Sequence, residues 1–326
     1  MGAARLACME LKWGTRGVRW AAAVVVAVVT LAGCGAEQGE SGRSGGAAHG
    51  SGVPEVDEEK DLPELPLDRY DFSTRDSERE QQAADRFTQR CMKSHGFPDF
   101  PRQWREQDTT MSNRLIAVAI STTLYGSLDL DGARRSGYGV ERDALEKYEK
   151  KHARKGRLVT PDEYKVLRGE GAGRKMPEGG CAQAGAQRVR ADVKDENLLM
   201  RYVADRRTAL DKAVAKDPRM RRALDEWADC VVDKGFKRYA SPEAAFRDKA
   251  WERGNEGDTR RTRRERDTAV ADVECKREHN TAGVWWTVAA EHQRRDIARH
   301  RSTYEAVRAD LERVRATVRG VLEGGA

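Results

Sequence analysis

The chain has 326 residues, a formal net charge of +6, 35% charged residues and 6% aromatics. This length is ample for one large core or two smaller ones, and the composition suits a solvated helical protein. Residues 1–33 hold four basic side chains and one acidic, so the rest of the chain carries only about +3, which argues against a nucleic-acid partner.

The first segment carries Arg5, Lys12, Arg16 and Arg19 against Glu10, then the uncharged apolar run 20–32, then Gly33-Cys34. A charged lead, a short apolar stretch and a small-residue exit are the parts of a secretory signal. The run is 13 residues long, whereas a membrane span needs about 20. Leu31-Ala32-Gly33-Cys34 resembles a bacterial lipobox, whose cysteine receives a diacylglycerol and becomes the new N-terminus. The resemblance implies lipidation of Cys34 by palmitate-like chains, a membrane partner through that diacylglyceryl anchor, and a place on the outer face of the cytoplasmic membrane. Two acyl chains suffice for stable anchoring.

Cys8 leaves with the signal and Cys34 takes the lipid, so Cys91, Cys181, Cys230 and Cys275 remain. An even number in an exported chain points to two disulfides. No C-x2-C spacing and no histidine cluster accompanies them, so no metal and no cofactor is expected.

Residues 34–75 read as a flexible tether and spacer. The part up to residue 53 is Gly/Ser-rich and includes a solvated His49; residues 54–72 are acidic and broken by Pro63 and Pro66.

The remainder contains a repeat. Phe87, Cys91, Met92, Gly96 and Phe97 are matched by Trp227, Cys230, Val231, Gly235 and Phe236, with Phe100 and Tyr239 three residues on and Pro101 and Pro242 nearby. A helix ending at His95 would place Gly96 in the left-handed conformation and fold Phe97 back onto Met92; Gly235, Phe236 and Val231 would do the same. Of the three possible pairings, Cys91–Cys181 with Cys230–Cys275 respects this duplication.

Between the cysteines of the first copy, residues 102–180 are hard to assign. Residues 115–120 fit a helix turn or a strand, and the glycine-bearing pieces 125–139 and 169–180 read as loops. Thr160-Pro161-Asp162-Glu163 is a capping box, and Asp217-Pro218 and Ser241-Pro242 open helices. Val189, Val193, Leu199, Val203, Leu210 and Val214 suggest one long helix. In the last helix Ile297, Tyr304, Leu311 and Val318 form one row, and His300, Val307, Val314 and Val321 another. This is a coiled-coil-like seam. Its expected partner is the helix of Cys275, folded back near 280–283, with a homodimeric coil as the alternative.

Three constellations could carry binding. His292, Asp296 and His300 stand at i, i+4, i+8, a metal-ligand spacing that a solvated stripe explains more plainly. Arg260, Arg261, Arg263, Arg264 and Arg266 could meet phosphates or anionic lipid, although Asp258, Glu265 and Asp267 flank them. Trp285 and Trp286 point about 100° apart, so one could line a groove facing the insertion of the first copy. Nothing matches a nucleophile elbow, a zinc helix, a phosphate loop or a dinucleotide fingerprint, so an enzyme is not expected.

The lipobox, the tether, the two Cys-x4-Gly-Phe helix ends and Asp272-Val273-Glu274-Cys275-Lys276 leading to Trp285 resemble a group of secreted or lipid-anchored actinobacterial proteins. That resemblance brings no activity with it. The fold expected is all-α: two related disulfide-braced units, 76–182 with a loop-rich insertion and 183–326, with a long C-terminal helix in a helical hairpin. The function expected is a non-catalytic binding or scaffold lipoprotein of the cell envelope, with an envelope component or membrane protein as partner. The alternative is a lipid-anchored small-solute binding protein serving a transporter.

Overall fold

In a computed structural model, residues 52–106, 123–139, 155–170, 176–251 and 261–324 are described here. Cys34, His49, Arg260 and the ambiguous 115–120 lie outside them. Ten helices are present among the described residues: α1 (Thr74–Ser94), α2 (Leu130–Ser136), α3 (Pro161–Arg168), α4 (Gly180–Val189), α5 (Glu196–Val214), α6 (Pro218–Asp233), α7 (Pro242–Phe246), α8 (Arg263–Glu278), α9 (Thr281–Arg299) and α10 (Arg301–Glu323). The strand content among the described residues is one parallel pair, β1 (Trp104–Arg105) beside β2 (Arg157–Leu158). The fold is all-α and disulfide-braced.

The helix-ending device forms twice. Gly96 and Gly235 have φ of 93° and 88°. The Phe97 amide donates to the Met92 carbonyl at 3.1 Å and Phe236 to Val231 at 3.1 Å, with Gly96 and Gly235 bonded to Lys93 and Val232. This bonding satisfies carbonyls that a helix end leaves open. Each device sits beside a cystine, Cys91–Cys181 between α1 and α4 and Cys230–Cys275 between α6 and α8. The closed loops of 90 and 45 residues contribute about 4 to 5 kcal/mol each on the chain-entropy view.

The main core joins Ala83 and Ala84 of α1, Val189 of α4, Leu199 and Val203 of α5, Ile297 of α9 and five residues of α10. Residues of 76–182 and of 183–326 therefore share it. The seam rows are buried at Ile297, Tyr304, Val307, Leu311, Val314 and Val318, with Val321 packed at their edge. Their partners are α1 and α5, not the helix of Cys275. The expected single last helix breaks at His300, which is exposed with φ −119° and ψ 31°.

Two other expectations are corrected. The helix foreseen from 189 to 214 is interrupted at 190–195, because buried Asp310 of α10 accepts the Lys194 and Asp195 amides at 2.9 and 3.1 Å. Asp195 then caps α5 by accepting the Leu198 amide at 2.8 Å. The piece read as loop at 125–139 contains α2, capped by Asp129 on the Gly132 amide at 2.8 Å.

Residues 54–72 do not stand off as a spacer. They form a strap along α9, with Val56, Leu67 and Tyr70 at most 1% exposed. The strap's backbone bonds are supplied by side chains from the far end of the sequence. Asn280 accepts the Val56 amide at 3.1 Å and donates to the Pro54 carbonyl at 2.8 Å. Gln293 accepts the Leu67 amide at 3.0 Å. A Cβ at position 283 would lie 2.0 Å from the Pro54 carbonyl oxygen, so only glycine lets the strap approach α9 there.

Asn280 also holds φ 44° and caps α9 through the Gly283 amide. Asn280→Ala is expected to cost about 1 to 3 kcal/mol, read as a lower urea midpoint. It should also speed proteolytic cleavage within 52–66, and an unchanged cleavage rate would argue against the strap.

Candidate functional site

The first turn of α1 and the last turns of α10 enclose an open cleft of about 360 Å³. Ser73 starts α1 with a reciprocal capping box: its hydroxyl accepts the Asp76 amide at 3.1 Å while Asp76 accepts the Ser73 amide at 3.0 Å. Helical spacing then puts Arg75, Asp76 and Arg79 on one wall, and Val314, Arg315, Val318 and Arg319 on the other. Phe72, Val314 and Val318 supply apolar surface.

Two of the four arginines are committed to structure. Arg315 grips Asp76 with two bonds of 3.0 and 2.7 Å and also reaches Glu312 at 2.8 Å. The Arg315 hydrogen bond holds the Asp76 carboxyl far below the usual carboxylate range, against the upward push of its partial burial. Arg79 meets Glu323 at 3.2 Å. Arg75 and Arg319 are exposed, and no described residue pairs with either. The cleft thus offers two uncompensated guanidiniums beside an apolar surface, a setting suited to an anion with an apolar portion.

The residues singled out from sequence go elsewhere. Trp285 is buried edge-on against Tyr125, ring centres 5.0 Å apart, so the insertion fills the groove foreseen there. Trp286 lies under the strap, its indole donating to the Pro63 carbonyl at 2.8 Å. In the arginine run, Arg261 turns inward to the buried Glu265 at 3.6 Å and Arg266 donates to the Arg261 carbonyl at 2.9 Å. Arg263 and Arg264 remain at the surface.

His292, Asp296 and His300 do not meet as a trio: the His300 ring lies 3.7 Å from Asp296, and His292 turns to another helix. His292 lies 3.5 Å from Asp217 of α6. Asp296 is buried and accepts Arg206 through two bonds, one of 3.0 Å, and the Tyr304 hydroxyl at 2.6 Å. Burial pushes this carboxyl upward, but the Arg206 and Tyr304 bonds outweigh it and leave it below its ordinary value.

A second buried pair clamps the insertion. Lys276 reaches Asp272 at 2.9 Å and the Ser127 carbonyl at 3.1 Å, while Asp272 accepts the Trp227 indole at 2.9 Å. Burial pushes Asp272 above the usual range despite Lys276.

Two histidines beside the cystines were not among the candidate ligands. His95 follows Cys91, and His279 follows Cys275, by four residues; each is the capping residue of its helix. The Cys-x3-His spacing was the available signal, and a search for C-x2-C passes over it. No protein-family model, curated protein or solved structure matches the chain.

The Asp217 carboxyl is held at about 2, chiefly by the Arg219 guanidinium, with burial opposing and His292 adding a smaller bond. A folded-state value below the unfolded one gives stability that is present above pH 4 and lost as the pH falls toward 2. Asp217→Asn should be less stable than the parent at pH 7 by about 1 kcal/mol. Urea midpoints of the two should converge between about pH 4 and pH 2; a constant gap would contradict this.

Proposed function

We propose that the chain is a lipid-anchored extracytoplasmic lipoprotein, a non-catalytic binding or scaffold protein of the cell envelope. The observation that carries this reading is Leu31-Ala32-Gly33-Cys34 closing a charged lead and a 13-residue apolar run. The two cystines suit an oxidising compartment outside the cytoplasm. No helix among the described residues is long and apolar enough to cross a membrane.

The cleft between α1 and α10 supports a binding role. It is open and edged with arginine, which favours an anionic envelope component over a small solute enclosed in a deep apolar pocket. Arg75 and Arg319 would carry the contact.

The test has two arms. Cells fed labelled palmitate should label the parent protein and leave Cys34→Ala unlabelled; a labelled variant contradicts the anchor. The mature chain without its lipid should bind phosphatidylglycerol vesicles more tightly than phosphatidylcholine vesicles. Arg75→Gln with Arg319→Gln should weaken that binding by about tenfold or more. Equal binding by parent and variant removes the cleft from the account.

A further inference from the structure

Each cystine has a histidine one helical turn beyond one of its cysteines. On α1 the pair is Cys91 and His95; on α8 it is Cys275 and His279. Side chains four residues apart share a helix face, the arrangement by which a helix presents two ligands to one ion. In the first group Cys181, from the opening turn of α4, completes a trio whose ligand atoms all lie within 4.8 Å of one another. In the second, Cys230, Glu278 and His279 meet the same limit.

The two groups differ in access. Cys91 and His95 are half-buried, so solvent reaches one sulfur and the ring, while Cys181 is buried. Cys230 and Cys275 are both buried, and Cys275 is 0% exposed. An incoming thiol can therefore approach the Cys91 sulfur, and the leaving sulfur is that of Cys181. The first turn of a helix favours the thiolate that this step releases.

We propose that the Cys91–Cys181 cystine opens on reduction to a zinc site, with the Cys91 and Cys181 thiolates and the His95 imidazole as three protein ligands. The first step consumes a dithiol: the S–S bond breaks, the protein gains two thiols, and the dithiol becomes a disulfide. Zinc then displaces the two thiol protons to solvent, and two thiolates neutralise the dication. His95 stands beside the Cys91 sulfur. Its Nδ1 lies 3.9 Å from the Cys91 sulfur and 2.9 Å from the Cys91 carbonyl oxygen. The same nitrogen makes both contacts, so on zinc binding Nδ1 would exchange the Cys91 carbonyl for the metal without the ring leaving the sulfur. Three protein ligands leave a fourth position for water or an incoming group. The inference does not depend on the lipid anchor or on the arginine cleft.

The experiment uses the mature protein, oxidised or reduced anaerobically with a phosphine that is then removed. Zinc chloride is titrated in competition with a chromophoric chelator. The oxidised protein should bind no zinc, and the protein opened at Cys91–Cys181 should bind one ion per chain with release of two protons. Alkylation and peptide mass mapping should find Cys230–Cys275 still closed. His95→Ala should weaken zinc binding by about tenfold or more, while His279→Ala should leave it unchanged. Far-UV circular dichroism guards against binding by an unfolded chain: the helical signal should persist with zinc. Absence of zinc uptake, parent-like affinity in His95→Ala, or helicity lost and not regained with zinc would each overturn the proposal.

Discussion

A single buried carboxylate, Asp296, joins the helices of the main core. It sits at the end of α9, one turn before the break at His300, and takes two bonds from Arg206 of α5 and one from the Tyr304 hydroxyl of α10. The Tyr304 ring, itself fully buried, meets Tyr70 of the strap at 4.9 Å and Tyr202 of α5 at 5.2 Å. One acidic group thus fixes where α10 leaves α9, which face of α5 it meets and where the strap ends. A buried charge is tolerated only when such partners surround it. Asp310 repeats the logic two turns further along α10, satisfying the backbone between α4 and α5.

This arrangement explains how a chain with 35% charged and 6% aromatic residues builds a defined interior. The apolar rows of α10 supply burial along one stripe, and buried polar groups on the helices supply further specification. Asn280, Gln293, Asp310 and Lys276 each satisfy backbone from a segment remote in sequence. The two cystines act at the ends of α1 and α6, where a helix end would otherwise be free to fray.

Features set by short-range geometry were legible in the sequence. Gly96 and Gly235 require positive φ, and an apolar residue five positions before each phenylalanine has only one partner to meet, so the paired helix ends and the cystine pairing followed. Asp217-Pro218, Ser241-Pro242 and Thr160-Pro161 announced their helices for the same reason. The strap was not legible: its buried anchors Val56, Leu67 and Tyr70 have no helical or strand period, and the groups that hold it lie more than 200 positions away. The break at 190–195 was hidden because Asp310, on another helix, holds the backbone there. The candidate cleft was likewise invisible, since Arg75 and Arg319 are neighbours only once α1 has packed on α10.

Asp296 couples α5, α9 and α10 as one unit, and a double-mutant cycle between Asp296→Ala and Tyr304→Phe in urea at neutral pH measures that coupling. A coupling energy of about 1 to 2 kcal/mol is expected, with the double variant less impaired than the sum of the single ones. Effects that add to within about 0.5 kcal/mol would contradict it.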